Sequence, residues 1–295
     1  MRRARGHFGW STPYLLVAPA IVALAATVAG PILYNIWISL YDWTLLDSDG
    51  PERFVGLANY IDILGASGFR GALAVTAKFT ILAVAVELVL GLGLAMLVNE
   101  QIAARRFVRT LLVAPVIATP IVIGLVFKVI WHAEFGVANW LISLIGLGPI
   151  AWLSSPAWAF VAVLLTEIWH NTAFVFLVML GALQMLPHEP YEAATIDGAT
   201  TFQKFRHITL PLLRPAILVA VLFRMVFTIR LFDEIWALTR GGPQSATETI
   251  SILIYKAAFE QFRMGYAAAL SVVLLMVTSA LAVVLVRVLR MKEAA

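Results

Sequence analysis

Cysteine is absent from the 295 residues. The chain therefore holds no disulfide, no thiolate-ligated zinc, no iron–sulfur cluster and no cysteine nucleophile. Charge is scarce as well: 13% of residues are Asp, Glu, Lys or Arg, about half the share found in soluble domains. The five histidines (His7, His132, His170, His188, His207) are scattered, with neither HExxH nor HxxxH among them, so no metal site is expected. None of the five lysines (Lys78, Lys128, Lys204, Lys256, Lys292) follows a glycine, which excludes a P-loop and with it ATP binding of that kind. No internal repeat, linker or low-complexity run is evident.

What the sequence has in abundance is apolar surface. Hydrophobic residues make up 61% of the chain, and mean hydropathy is +0.91. A water-soluble fold of this length cannot hide that much. An all-α membrane protein is the expectation, with disorder, a collagen-like chain and a solenoid excluded. A span needs roughly 20 apolar residues. Six are read, at about 13–40, 71–99, 107–131, 157–185, 212–238 and 263–287, together forming one membrane domain over 1–295. The first run is too long for the apolar region of a signal peptide and carries Pro19 and Pro31, so it reads as an uncleaved helix.

The basic residues explain the +4 net charge without nucleic acid. Arg2, Arg3 and Arg5 precede the first span. Arg105, Arg106 and Arg109 lie between the second and third, Lys204, Arg206 and Arg214 around the start of the fifth, and Arg287, Arg290 and Lys292 at the end. With six spans all of these fall on one side, which the positive-inside rule makes cytoplasmic, and both termini lie there. The opposite loops carry Asp42, Asp47, Asp49, Glu52 and Asp62. The short apolar stretch 136–152 reads as an interfacial or re-entrant helix, with Trp140 and Trp152 as headgroup anchors.

The loop at 186–211 has its own pattern. Pro190 suits the first turn of a helix, Glu192 suits its dipole, and Gly198 suits a left-handed stop. A second short helix, about 199–208, then places Phe202, Phe205 and Ile208 on one side, and Pro211 starts the fifth span. Two short helices with a glycine between them are too polar for the bilayer and too apolar for a free loop. They predict a knob that docks into another protein.

Ionisable residues inside spans mark functional or interior-facing positions. Lys78 and Lys128 read as snorkelling. Lys78 and Glu87, nine residues apart, lie on opposite helix faces. In the fifth span Arg224, Phe227, Thr228 and Leu231 form one stripe, and in the fourth Glu167, His170, Asn171 and Phe174 form another. Cations, aromatics and hydroxyls on one face suit a sugar pathway, and packing against a second subunit explains the same pattern. Arg230 is rotated off its stripe and is expected to pair with Asp233 or Glu234. Glu87 or Glu167 is expected to neutralise Arg224.

Several motifs carry a resemblance. Glu192-Ala193-Ala194, Asp197-Gly198-Ala199, Ile208, Leu210-Pro211 and Pro215 resemble the EAA loop of bacterial ATP-binding-cassette importer permeases. Phe232-Asp233, Leu238-Thr239 and Gly241-Gly242-Pro243 are similar to the FDxIxxLTxGGP segment of the carbohydrate-type members. Phe54-Val-Gly-Leu-Ala-Asn-Tyr60 and Gly265-Tyr-Ala-Ala-Ala-Leu-Ser271 resemble two further segments of the same MalF/UgpA-like group. The resemblance implies the type I importer permease fold with six core helices, in the bacterial cytoplasmic membrane. It implies a second homologous permease, a dimer of cytoplasmic ATPase subunits that bind ATP and Mg, an extracytoplasmic solute-binding protein and a carbohydrate cargo. This chain itself is then no enzyme and binds no cofactor. Glu192, Ala193, Ala194, Asp197 and Gly198 would couple it to the ATPase. Counting outward from the loop, the positions matching the sugar contacts of the maltose-type permeases are His170, Asn171, Phe174, Arg224, Phe227 and Thr228. Polyols and glycerol phosphates use such permeases too, and Arg224 would suit an acidic group. An ion-coupled secondary transporter is the competing reading, but the inverted repeats it commonly carries are missing. An intramembrane enzyme would need a nucleophile with a base, or a metal cluster, but His170 stands alone in its span and Ser154-Ser155 lie in a loop.

Overall fold

A computed structural model describes residues 12–100 and 105–293. Arg2, Arg3 and Arg5 lie outside the described residues. The helices are α1 (Thr12–Leu24), α2 (Gly30–Ile38), α3 (Ala58–Gly65), α4 (Ser67–Asn99), α5 (Arg105–Ile117), α6 (Pro120–Ile130), α7 (Val137–Ser143), α8 (Pro156–Gln184), α9 (Glu189–Ile196), α10 (Thr201–Lys204), α11 (Leu210–Ile229), α12 (Asp233–Leu238), α13 (Ile250–Tyr255) and α14 (Met264–Glu293). Short π-helical stretches join α1 to α2 and α10 to α11, and a third follows α13. Strands β1 (Tyr41–Asp42) and β2 (Arg53–Phe54) pair antiparallel. Among the described residues, five helical stretches are long and apolar enough to cross a membrane, and six if the bent pair α5–α6 is one span.

The described chain packs as two compact units. The first runs to Gly65 and adds Ile254–Leu274. Its centre is Asn59, a buried amide whose Nδ2 donates to the carbonyls of Ser39 and Tyr41, both at 2.9 Å. Gly265 closes against β1: its N–H donates to the Trp43 carbonyl, and a Cβ there would collide with the Tyr41 carbonyl oxygen. These contacts give a packing reason for the Asn and Gly of two of the family segments.

The second unit comprises Ala66–Leu253 and continues from Leu275. Its spine is α4 against α8, whose close approach leaves no room for a Cβ at Gly91, beside Val175. Phe79, Trp131, Trp152, Val163 and Ile235 form one core cluster, and Val98, Phe176 and Met179 a second.

Four expectations need correcting. The third span is not continuous: α5 and α6 meet at 103°. Thr119 is extended and Pro120 opens α6; a residue before proline is driven out of the helical region, and proline cannot continue the preceding helix. The fifth span does not run to 238, because α11 stops at Ile229 and α12 starts afresh at Asp233. The second short helix of the 186–211 loop is not separate either, since α10 continues through a π stretch into α11. Finally, Trp152 is no interfacial anchor. It is buried, its ring lies tilted 4.8 Å from that of Trp131, and its Nε1 donates to Asn139 Oδ1 at 2.9 Å, whereas Trp140 is exposed.

Candidate functional site: a polar cavity at two helix breaks

The two stripes read from sequence converge. Glu167, His170, Asn171 and Phe174 from α8, and Arg224 and Phe227 from the end of α11 with Leu231 just beyond it, line one cavity of about 540 Å³. The bend of the third span adds Ala118 and Pro120, the break after α11 adds Arg230 and Phe232, and the first turn of α12 adds Asp233 and Glu234. Thr228 is buried beneath this wall rather than in its lining. Phe227 is 59% exposed and stacks near Phe223, which also meets Phe174 edge-on. Aromatic faces and converging polar groups are what a small-molecule site offers.

Beneath the cavity lies a buried ionic network. Arg224 Nε donates to Glu87 Oε2 at 2.6 Å, and Nη2 donates to Glu87 Oε1 at 3.0 Å. Nη2 also reaches Glu167 Oε1 at 2.6 Å and Thr228 Oγ1 at 3.0 Å, while Nη1 donates to Asn171 Oδ1 at 2.9 Å. Glu87 and Glu167 both sit on Arg224, where either alone was expected. Charges so deeply buried persist only when paired and hydrogen-bonded. Three helices, α4, α8 and α11, are pinned by this one guanidinium.

The expected pairing of Arg230 with Asp233 or Glu234 does not occur. Arg230 and Asp233 are exposed at the rim, and Glu234 turns inward to the His170 ring, Nδ1 to Oε1 at 2.5 Å. The helix break explains the difference: spacing of i, i+3 or i+4 brings side chains together only along an unbroken helix. The Glu234–His170 bond joins residues 64 apart and had no signal in sequence spacing. The contribution of Ala118 was likewise missed, although Thr119-Pro120 carried its signal.

Lys78 Nζ lies 4.6 Å over the Phe160 ring, and Lys128 is exposed in the last turn of α6. A larger cavity, about 850 Å³, is walled by Leu90, Leu94, Leu112, Phe127 and Trp169 with hardly a polar group, and offers nothing to fix a polar solute.

In the 186–211 segment, α9 and the start of the helix that continues into α11 meet at a turn, making a small knob. Pro190 stands in the first turn of α9 with Glu189 and Glu192. Gly198 has φ +75° and open space around it. Thr200 then caps α10 in a reciprocal box with Gln203. Tyr191 and Thr209 hydroxyls meet at 2.9 Å, bracing the knob, and Lys204 Nζ donates to Thr195 Oγ1 at 2.8 Å. Glu192, Ala193, Asp197 and Gly198 face outward, and Ala194 is half-buried. Ile196 and Phe202 beside them are large exposed hydrophobic groups.

Residues 87–292 match the model of the family described as "Binding-protein-dependent transport system inner membrane component". The trehalose/maltose transport system permease protein MalF of Thermococcus litoralis is 37% identical, over 85% of this chain and 83% of that protein. The sulfoquinovosyl glycerol transport system permease protein SmoG of Agrobacterium fabrum is 34% identical, over 95% of this chain and 90% of that protein. A chain in the crystal structure of a bacterial alginate ABC transporter, in complex with an alginate pentasaccharide-bound periplasmic protein, superposes with a TM-score of 0.81 over 92% of both chains. At 22% identity that is a likeness of fold. The chain belongs to the family of binding-protein-dependent transport system inner membrane components, as a multi-pass membrane subunit.

Proposed function

We propose that this chain is one of two permease subunits of an ATP-driven carbohydrate importer. Its cavity is half of the cargo path, completed by a second homologous permease. ATP and Mg are bound by a dimer of ATPase subunits seated on the α9–α10 knob, and a solute-binding protein delivers cargo from the opposite side. Closing and opening of the ATPase dimer rocks the two permeases, so that the cavity faces each side in turn. The observation that carries this reading is the knob itself. Glu192, Asp197 and Gly198 are exposed on a braced two-helix turn beside Ile196 and Phe202, apolar groups that water does not favour and a partner groove would cover. The relatives named for trehalose, maltose and sulfoquinovosyl glycerol transport support a carbohydrate cargo.

The test is reconstitution of the four-component assembly in vesicles with ATP enclosed, measuring uptake of radiolabelled carbohydrates beside ATP hydrolysis. Uptake is expected only with ATP. Gly198→Asp is expected to lower uptake per ATP hydrolysed by tenfold or more, from about 1–2 kcal/mol of backbone strain plus a charge in the docking face. Unchanged coupling in that variant refutes the role of the knob.

A further inference from the structure

Read by residue type, Arg224 suits an acidic cargo; its hydrogen bonds assign it another task. A guanidinium has five N–H donors. Nε and Nη2 are taken up by Glu87, Glu167 and Thr228, and one Nη1 hydrogen goes to Asn171. Arg224 is 4% exposed, and two carboxyl groups already stand against its charge. An anionic cargo at Arg224 would have to displace one of them, and the other arginine of the wall, Arg230, exposed at its rim, shares it with Asp233 and Glu234.

Asn171 stands differently. It lines the cavity, half-buried, one residue beyond His170. Its Oδ1 accepts from Arg224 Nη1 at 2.9 Å, which fixes the orientation of the amide. Among the described residues its Nδ2 makes one long contact, 3.5 Å to the Glu167 carbonyl, at the limit of a hydrogen bond. The amide thus keeps donor capacity for something in the cavity. Glu87 lies behind Arg224, is fully buried and takes no part in the cavity wall. It reaches the cavity only through the guanidinium.

We infer that Glu87 and Arg224 are positioning residues: Glu87 fixes the guanidinium, the guanidinium fixes the Asn171 amide, and the Asn171 N–H groups donate to oxygens of an uncharged carbohydrate. This rests on the carbohydrate-import reading and narrows it to neutral cargo.

The experiment uses the four-component assembly in vesicles with ATP enclosed, and radiolabelled trehalose, maltose and galacturonate as probes. The wild-type chain takes up a neutral probe in preference to galacturonate. Arg224→Lys keeps the charge but loses the planar fork, and lowers neutral uptake about tenfold or more. Asn171→Asp keeps the acceptor for Arg224 and loses the cargo donor. It lowers uptake by a similar factor while the unfolding midpoint of the purified chain does not fall; a purely structural amide would leave uptake unchanged. Glu87→Gln, which retains one acceptor oxygen, loses less than Glu87→Leu.

Wild-type uptake in Asn171→Asp overturns the inference, as does wild-type uptake in Arg224→Lys. Should Arg224→Lys fail to co-elute with its partners, Asn171→Asp decides alone. Preferred uptake of galacturonate by the wild type overturns the neutral-cargo inference and leaves carbohydrate import standing. ATP-dependent uptake of none of these probes, nor of any other in a panel of neutral and acidic mono-, di- and oligosaccharides, removes the import reading and this inference with it.

Discussion

Arg224→Met removes five hydrogen bonds while keeping most of the side-chain volume. Glu87 and Glu167, at 0% and 1% exposure, stay behind with no cation between them. Breaking a buried ion pair by deleting one partner costs about 3–5 kcal/mol, because the remaining charge is left uncompensated. Here two carboxyl groups are left, so the upper end of that range is expected. Glu87→Leu is milder, since Arg224 keeps Glu167, Thr228 and Asn171; about 1–3 kcal/mol follows from the hydrogen bonds to a charged group that it removes. The double variant takes out an orphaned charge along with its partner. It should cost less than the sum of the singles, by about 1–3 kcal/mol. The assay is equilibrium unfolding of the purified chain in mixed micelles, followed by the fluorescence of its nine tryptophans. An Arg224→Met variant within about 1 kcal/mol of wild type, or single costs that simply add, refutes the view that one guanidinium holds α4, α8 and α11 together.

Three further outcomes follow from local geometry. Asn59→Leu deletes the donor to the Ser39 and Tyr41 carbonyls and should destabilise the first unit by about 1–3 kcal/mol, seen as faster limited proteolysis within residues 39–60. Gly265→Ala sets a methyl group against the Tyr41 carbonyl oxygen and should cost about 1–3 kcal/mol in the same assay, whereas Ala at Gly71, with open space around it, should be silent. At Gly198 the left-handed backbone is strained for Ala, by roughly 1–2 kcal/mol, and less so for Asn; transport per ATP should therefore rank Gly, then Asn, then Ala, and an equal rate for all three would count against the turn geometry.

The legible part of this protein is the part fixed by local chemistry. Long apolar helices followed from apolar length, though not where the third and fifth stretches break, and the turn of the knob followed from Pro190, Glu192 and Gly198, whose conformational preferences act within one or two turns. The two cavity stripes were legible for the same reason, since i, i+3, i+4 and i+7 share a face wherever the helix is unbroken. Where helices break, that inference stops. Thr119-Pro120 announced the bend of the third span, but an apolar run on both sides concealed it, and the bend is what carries Ala118 to the cavity. The break at 230–232 has neither glycine nor proline to announce it. There the fully buried Glu234 bonds His170, a tertiary partner 64 residues away, and α12 restarts with Asp233 and Glu234 in its first turn, where acidic groups suit the helix dipole. The same break separates Arg230 from the acids it was expected to meet. Residue spacing thus identified groups that line the cavity, while the pairing among them was set by where two helices stop.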